Sequence, residues 1–120
     1  MKILHLPIKK HWFDMIKSGE KKEEYREIKD YWENRFFVKT SRGYIDSNSF
    51  FGQIIKIVNN DPVFKQFDIV RFKNGYHPND PVMDVEFNGF EIREGTPEWG
   101  AVKGEEYFVI KLGEILEKLQ

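Results

Sequence analysis

The chain has 120 residues, of which 40% are hydrophobic and 16% aromatic, so it has enough large apolar surface to offset the entropy that folding costs. At this length we expect a single domain, residues 1–120. The formal net charge of −1 argues against a protein that holds long duplex DNA by bulk charge neutralisation, and the absence of cysteine excludes disulfides, thiolate zinc sites and cysteine nucleophiles.

The sequence indicates neither a signal peptide nor a membrane span. The apolar run in MKILHLPIKK at the N-terminus is too short for a signal peptide, and nowhere do about 18 apolar residues follow one another. We therefore expect a cytoplasmic protein without a membrane partner.

The first 19 residues predict a strand followed by a helix. Residues 2–8, KILHLPI, form a short apolar run that suits a strand entering the core, with Pro7 at its end. In residues 9–18 the apolar side chains recur with helical spacing, and Gly19 follows where a left-handed helix cap is expected.

Residues 21–28, KKEEYREI, fit a helix or a strand by pattern alone, because residues four apart and alternate residues both carry charge. The preceding Gly19 favours a strand. Asp30 with Glu33 three residues later then resembles a capping box, which predicts a short helix. We expect that helix to bury Trp32 and Phe36, with Tyr31 at its rim.

The rest of the chain predicts mainly strands. Residues 40–52 are rich in Ser, Gly, Asn and Asp and predict a loop, whereas residues 113–120 predict a short closing helix. Strands are expected at residues 54–58, 67–73, 80–93 and 107–112. This order predicts an α+β fold, with a small, mostly antiparallel sheet or partly closed barrel and short helices.

The string LPIKKHWFDMIKSGEKKEEYRE resembles the signature of ASCH domains, which belong to the PUA-like superfamily: a strand, a helix with Trp or Phe, then Gly-x-Lys and Glu-x-Arg. The matching residues are Gly19, Lys21, Glu24 and Arg26. The segments FDIVRFKNGY, VMDVEFNGFEI and EYFVIKLGEIL resemble later strands of such domains, so the resemblance spans most of the chain.

The resemblance implies a small PUA-like, partly closed β-barrel of about five or six strands with a cleft beside the Gly-x-Lys turn. PUA-like domains commonly bind RNA or modified nucleobases. The resemblance therefore implies RNA or a modified nucleoside as the partner, and we expect no cofactor.

The resemblance also implies an alternative function. Some small ASCH proteins are amidohydrolases that remove the acyl group of acetylated cytidine, with a Lys of this turn as base and a Thr three residues later as nucleophile. Here Lys21 occupies the position of the base, and Glu24 stands where those enzymes have Thr. The alternative is an amidohydrolase of acylated nucleosides such as N4-acetylcytidine, with Lys21 and Glu24 as catalytic residues.

The charged residues themselves suit ligand binding. In a strand, Lys22, Glu24 and Arg26 project from one face at intervals of roughly 6.5 to 7 Å. Arg26 can donate two hydrogen bonds to a phosphate or base edge, Glu24 can accept from an exocyclic amine, and Lys21 can reach a phosphate. Alternating charges on a strand are equally typical of a solvated face, so both interpretations stay open.

Three further residues are candidates for ligand binding. Trp12 can stack a base or pack its helix onto the sheet. Asn74 and Tyr76, in the segment RFKNGYH, can face a ligand or form a plain hairpin turn. The three histidines lack the spacing of a metal-ligand set, so we expect no metal site.

Two aromatic loops complete the candidates. Residues 44–51 carry Tyr44, Phe50 and Phe51, and an adaptor that docks a protein partner through them is the third functional hypothesis. Trp99 lies in the Gly- and Pro-rich segment 95–106, and we expect it to anchor that loop rather than form a lid.

Overall fold

The computed structural model describes residues 1–38 and 64–116. The chain folds as two compact units, Met1–Arg26 with Gln66–Gln120, and Glu27–Lys65. The predicted loop at residues 40–52, with the aromatic segment 44–51, and the predicted strand at residues 54–58 lie outside the described residues. The expectation of a single domain over residues 1–120 stays a prediction.

The first unit is built on a sheet of five strands. They are β1 (Ile3–Pro7), β2 (Glu23–Arg26), β3 (Ile69–Lys73), β4 (Val82–Glu94) and β5 (Glu106–Leu116). Their order across the sheet is β1-β3-β4-β5-β2; β1 and β3 are parallel, and every other neighbouring pair is antiparallel. The α+β class and the mostly antiparallel sheet are confirmed. The described strands form an open sheet with β1 and β2 at its edges, and they do not close into a barrel.

Hydrophobic patterning distinguishes the edge strand β1 from β5, which lies inside the sheet. In β1, Leu4 and Leu6 are buried while the residues between and after them are exposed, as the period of two in a strand requires. In β5, Phe108, Val109 and Ile110 are all fully buried. Because successive residues point to opposite faces, both faces of β5 are covered at this point.

One helix, α1 (Lys10–Lys17), connects β1 to the turn before β2. Its Phe13 and Ile16 side chains are buried, and no side chain caps its N-terminus. Gly19 adopts a φ of +87°, and its amide donates to the carbonyl of Ile16 over 3.0 Å. The predicted glycine cap is confirmed, and the helix therefore ends where the turn toward β2 begins.

The predicted closing helix at residues 113–120 is wrong for its first four residues, because β5 continues to Leu116. The reason is that β4 is 13 residues long and offers a partner along this stretch, so that Ile115 pairs with Val85 and Leu116 with Asp84. Ladder hydrogen bonds to an available strand outweigh a weak local helix preference.

The second unit contains α2 (Asp30–Phe36). Its Phe36 is buried and stacks on Trp32, with ring centroids 5.3 Å apart, while Tyr31 is exposed. The predicted capping box is wrong, because Asp30 is already the first helical residue and the residue before it makes no side-chain capping bond. Glu33 is buried.

Candidate functional site

The segment from Gly19 to Arg26 forms a turn and then the edge strand β2, as predicted. The amide of Lys21 donates to the carbonyl of Met15 over 3.0 Å, which ties the turn back onto α1. β2 pairs along one side with β5, and Glu24 lies opposite Ile110. Residues of the Gly-x-Lys and Glu-x-Arg patterns are therefore held between a helix end and a central strand.

The side chain of Lys21 is enclosed, with 1% of its surface exposed. Its Nζ lies 4.9 Å from the ring centroid of Trp12 and 4.9 Å from that of Tyr25. The same ammonium group donates a hydrogen bond to the carbonyl of Trp99 and lies 3.2 Å from Oε1 of Glu24. The Lys21 ammonium group is thus surrounded by two aromatic rings, a carbonyl and a carboxylate. Each of these groups directs a region of negative electrostatic potential at the cation and attracts it.

Burial lowers the pKa of the Lys21 ammonium, because an enclosed cation loses its hydration, and the nearby Glu24 carboxylate only partly opposes that effect. Burial therefore disfavours the ammonium form of Lys21 relative to that of a solvated lysine.

Glu24 joins Lys21 to Arg26. Its other carboxylate oxygen, Oε2, accepts a hydrogen bond from Nη1 of Arg26, and only 6% of the Glu24 side chain is exposed. Nη2 of Arg26 donates to the carbonyl of Pro7 over 2.6 Å. Lys21, Glu24 and Arg26 therefore converge on one another. The alternative interpretation, a solvated face of alternating charges, is wrong for Glu24, whereas Lys22 is exposed.

The glycines of the β4–β5 connection allow this close packing. A Cβ atom on Gly100, whose φ is +107°, would lie 3.1 Å from the Trp12 ring. A Cβ on Gly95 would lie 2.6 Å from the ring of Tyr25. Between them, the 3₁₀ turn Pro97–Trp99 presents the carbonyl that Lys21 binds.

None of the predicted site residues lies in this connection. Trp99 was expected to anchor its loop, and it packs against the cluster of Tyr25, Ala101, Tyr107 and Val109. The residue type does not indicate that the backbone carbonyl of Trp99 accepts a hydrogen bond from Lys21. The repeated glycines in GTPEWG are the available hint, because they mark positions where another group approaches the backbone closely.

The other face of β2 carries a second ion pair. Glu23 accepts hydrogen bonds from Arg93 on β4 and from the hydroxyl of Tyr25, the latter over 2.7 Å. Desolvation alone would raise the pKa of Glu23, but these hydrogen bonds outweigh it and lower the pKa. The Tyr25 hydroxyl also accepts from the amide of Thr96 over 2.9 Å, while burial raises the pKa of Tyr25.

A cleft of about 520 Å³ lies beside the Gly-x-Lys turn. One wall is the end of α1 and the turn, including Lys17, Gly19, Lys21 and Lys22; the other consists of Glu86 and Asn88 of β4 and residues 112–115 of β5. The groups that surround the Lys21 ammonium do not line it. The described part of the site therefore has two regions. One is the enclosed cluster of Lys21, Glu24 and Arg26, the other is the open polar cleft, and Lys21 belongs to both.

The remaining predicted residues occupy different places. Lys22 is exposed and lines the cleft. Trp12 is half-buried against Lys21. Asn74 donates from its amide to the carbonyl of Ile8 over 3.0 Å, next to the carbonyl that Arg26 binds, and Tyr76 is 89% exposed in the β3–β4 connection. Neither Asn74 nor Tyr76 lines the cleft.

Every buried side-chain nitrogen and oxygen of the described residues has a hydrogen-bond partner. Across residues 1–38 and 64–116, no three His, Asp or Glu side chains are grouped so as to hold a metal ion. Neither α1 nor α2 has the length and apolar character that crossing a membrane requires.

Comparison with protein-family models, curated proteins and solved structures gives no match to this chain. The likeness to ASCH domains therefore rests on the motif residues of the chain itself.

Proposed function

We propose that this chain is an ASCH, PUA-like domain that binds RNA or a modified nucleoside in the cleft beside its Gly-x-Lys turn. The observation that carries the proposal is the position of the cleft, which borders Gly19, Lys21 and Lys22 directly. Its volume falls within the roughly 300 to 1,000 Å³ of small-ligand sites in proteins.

The chemistry of the cleft supports a nucleotide. Lys17 and Lys22 are exposed cations that can contact phosphate. Glu86 and Asn88 supply the carboxylate and amide groups that commonly bind base edges. Ile115, which is 39% exposed, adds apolar surface against which a base can pack.

The proposal includes the PUA-like partly closed barrel. Its support is the hydrogen bond from Arg26 of β2 to Pro7 of β1, because these are the two edge strands of the sheet. An edge-to-edge bond requires the sheet to curl until one side chain spans the gap. In this proposal Lys21, Glu24 and Arg26 hold the turn in place, and Lys22 contacts the ligand. A cytoplasmic location belongs to the same proposal.

Titration with single-stranded RNA tests this function. We expect the double variant Lys17→Ala/Lys22→Ala to weaken binding and to reduce the dependence of log K on log salt by about 0.7 per lysine that contacts a phosphate. Lys103→Ala removes an exposed cation that does not line the cleft, and it should leave both quantities unchanged. Absence of binding to RNA and to a nucleoside panel, or equal effects of the variants, would refute the proposal.

A second candidate is the amidohydrolase of acylated nucleosides, and the buried pair of Lys21 and Glu24 favours it. Their 3.2 Å separation places a carboxylate that can act as base beside an ammonium group. Because Glu24 replaces Thr, water would have to be the nucleophile, with Glu24 as base and Lys21 stabilising the oxyanion.

Incubation with N4-acetylcytidine and chromatographic detection of cytidine separates the two candidates. The hydrolase predicts cytidine release that is lost in Lys21→Met and retained in Lys22→Met. No release at high protein concentration would eliminate it and leave the binding function standing.

A further inference from the structure

Two β-bulges flank the pair formed by Phe87 of β4 and Leu112 of β5. On one side of this pair β5 has one extra residue, and on the other side β4 has one extra residue. The two bulges compensate each other, so β4 and β5 pair in the same register before the first bulge and after the second. Their effect is therefore local, and β-bulges commonly redirect side chains beside binding sites.

Each bulge contains a glycine. Gly113 lies in the bulge of β5, and Gly89, with a φ of +108°, lies in the bulge of β4. A Cβ atom on Gly113 would overlap the carboxylate of Glu86 and lie 2.9 Å from Nδ2 of Asn88. The polar ends of these two side chains thus converge over the one position in β5 that has no side chain.

Both convergent groups face the cleft. Glu86, Asn88 and Gly113 all line it, and the side chains of Glu86 and Asn88 are exposed. The carboxylate of Glu86 can only accept hydrogen bonds, whereas the amide nitrogen of Asn88 donates. The wall therefore presents an acceptor and a donor side by side.

We propose that Glu86 and Asn88 read the edge of the bound base and select bases with an exocyclic amine, as in cytosine and adenine, over their oxo analogues. The inference rests on the proposed nucleotide-binding function and names the residues that decide its specificity. The amine donates to Glu86, and the adjacent ring nitrogen accepts from Asn88.

An oxo analogue inverts both contacts. In uracil and hypoxanthine an oxygen replaces the amine, so an acceptor faces the Glu86 carboxylate. The adjacent ring nitrogen carries hydrogen, so a donor faces the Asn88 amide nitrogen. A pair of such base contacts discriminates by about 5- to 150-fold in affinity.

Four fluorescein-labelled RNA tetranucleotides, of cytidine, uridine, adenosine and inosine, test the selection by fluorescence anisotropy. We expect cytidine to bind at least about 5-fold more tightly than uridine, and adenosine at least about 5-fold more tightly than inosine. In Glu86→Gln both ratios should approach 1, because a glutamine amide can donate as well as accept. Glu20→Gln makes the same charge change at an exposed turn residue outside the cleft, and it should keep the wild-type ratios.

Gly113→Ala provides a second variant, since its Cβ displaces both Glu86 and Asn88 without altering the charge. Its ratios should also approach 1, with folding checked by thermal unfolding. Binding of all four RNAs with equal affinity, or ratios unchanged in Glu86→Gln, overturns this inference and leaves the proposed function intact. Absence of binding by all four overturns the proposed function and, with it, the inference.

Discussion

Arg26 on β2 donates a hydrogen bond to the carbonyl of Pro7 on β1 over 2.6 Å, and so joins the two edge strands of the five-stranded sheet. The guanidinium also pairs with Glu24, which is in turn 3.2 Å from the ammonium of Lys21. The side chains of Lys21, Glu24 and Arg26 therefore link the Gly-x-Lys turn to the backbone of β1 at the other edge of the sheet.

We expect Arg26→Met to lower the free energy of unfolding by about 3 kcal/mol, because it leaves the buried Glu24 with Lys21 alone and removes the bond to β1. Arg71→Met is a matched control. Arg71 also pairs with a carboxylate, that of Asp84, through two hydrogen bonds, but 35% of its side chain is exposed, so its loss should cost less than that of Arg26. Equal losses in urea denaturation would contradict a special role for Arg26.

Lys21→Met should lower the free energy of unfolding by about 2 kcal/mol, because the carbonyl of Trp99 loses its donor and Glu24 loses a charge partner. Lys22→Met changes the exposed neighbour and should stay within about 0.5 kcal/mol of wild type. Because Lys21 and Glu24 interact, the double variant Lys21→Met/Glu24→Gln should lose less than the sum of the single losses. Strict additivity would show that the pair is not coupled.

The pH dependence of stability should report on Glu23. Its folded-state pKa lies below the ordinary value of 4.5, so its contribution is fully present above pH 4.5 and is lost as the pH falls through the folded-state pKa. We expect Glu23→Gln to remove about 1 kcal/mol at neutral pH, a modest value because Arg93 is 40% exposed.

Urea denaturation from pH 3 to pH 7 measures this contribution. The difference between wild type and Glu23→Gln should shrink as the solution is acidified. A difference that is constant across this range would mean that the pKa of Glu23 is not lowered by folding.

Gly95→Ala should destabilise the protein by about 2 to 3 kcal/mol, because the new Cβ would lie 2.6 Å from the Tyr25 ring and 2.7 Å from Cβ of Ala101. Gly104→Ala places its Cβ in open space at a φ of +88°, so it measures the backbone cost alone, about 1 kcal/mol. Calorimetry that finds the Gly95 variant no less stable than the Gly104 variant would contradict the tight packing at Tyr25.

Elements whose signals are local could be predicted from the sequence. The apolar run in residues 2–8, the helical spacing before Gly19, and the strand patterns at residues 80–93 and 107–112 depend on neighbouring residues along the chain. Local patterns gave the wrong secondary structure where pairing with a distant strand stabilised a different one. Residues 113–116 extend β5 because β4 is long enough to pair with them.

The contacts of the charged residues in GEKKEEYR, in contrast, depend on parts of the chain that are distant in sequence. Lys21 binds the carbonyl of Trp99, 78 residues away, and Arg26 binds that of Pro7, 19 residues away. Backbone carbonyls are the same in every residue, so no residue type marks them in advance. The sequence placed Lys21, Glu24 and Arg26 at the right spacing, and folding determined that Lys21 and Glu24 are buried against each other while Lys22 lines the cleft.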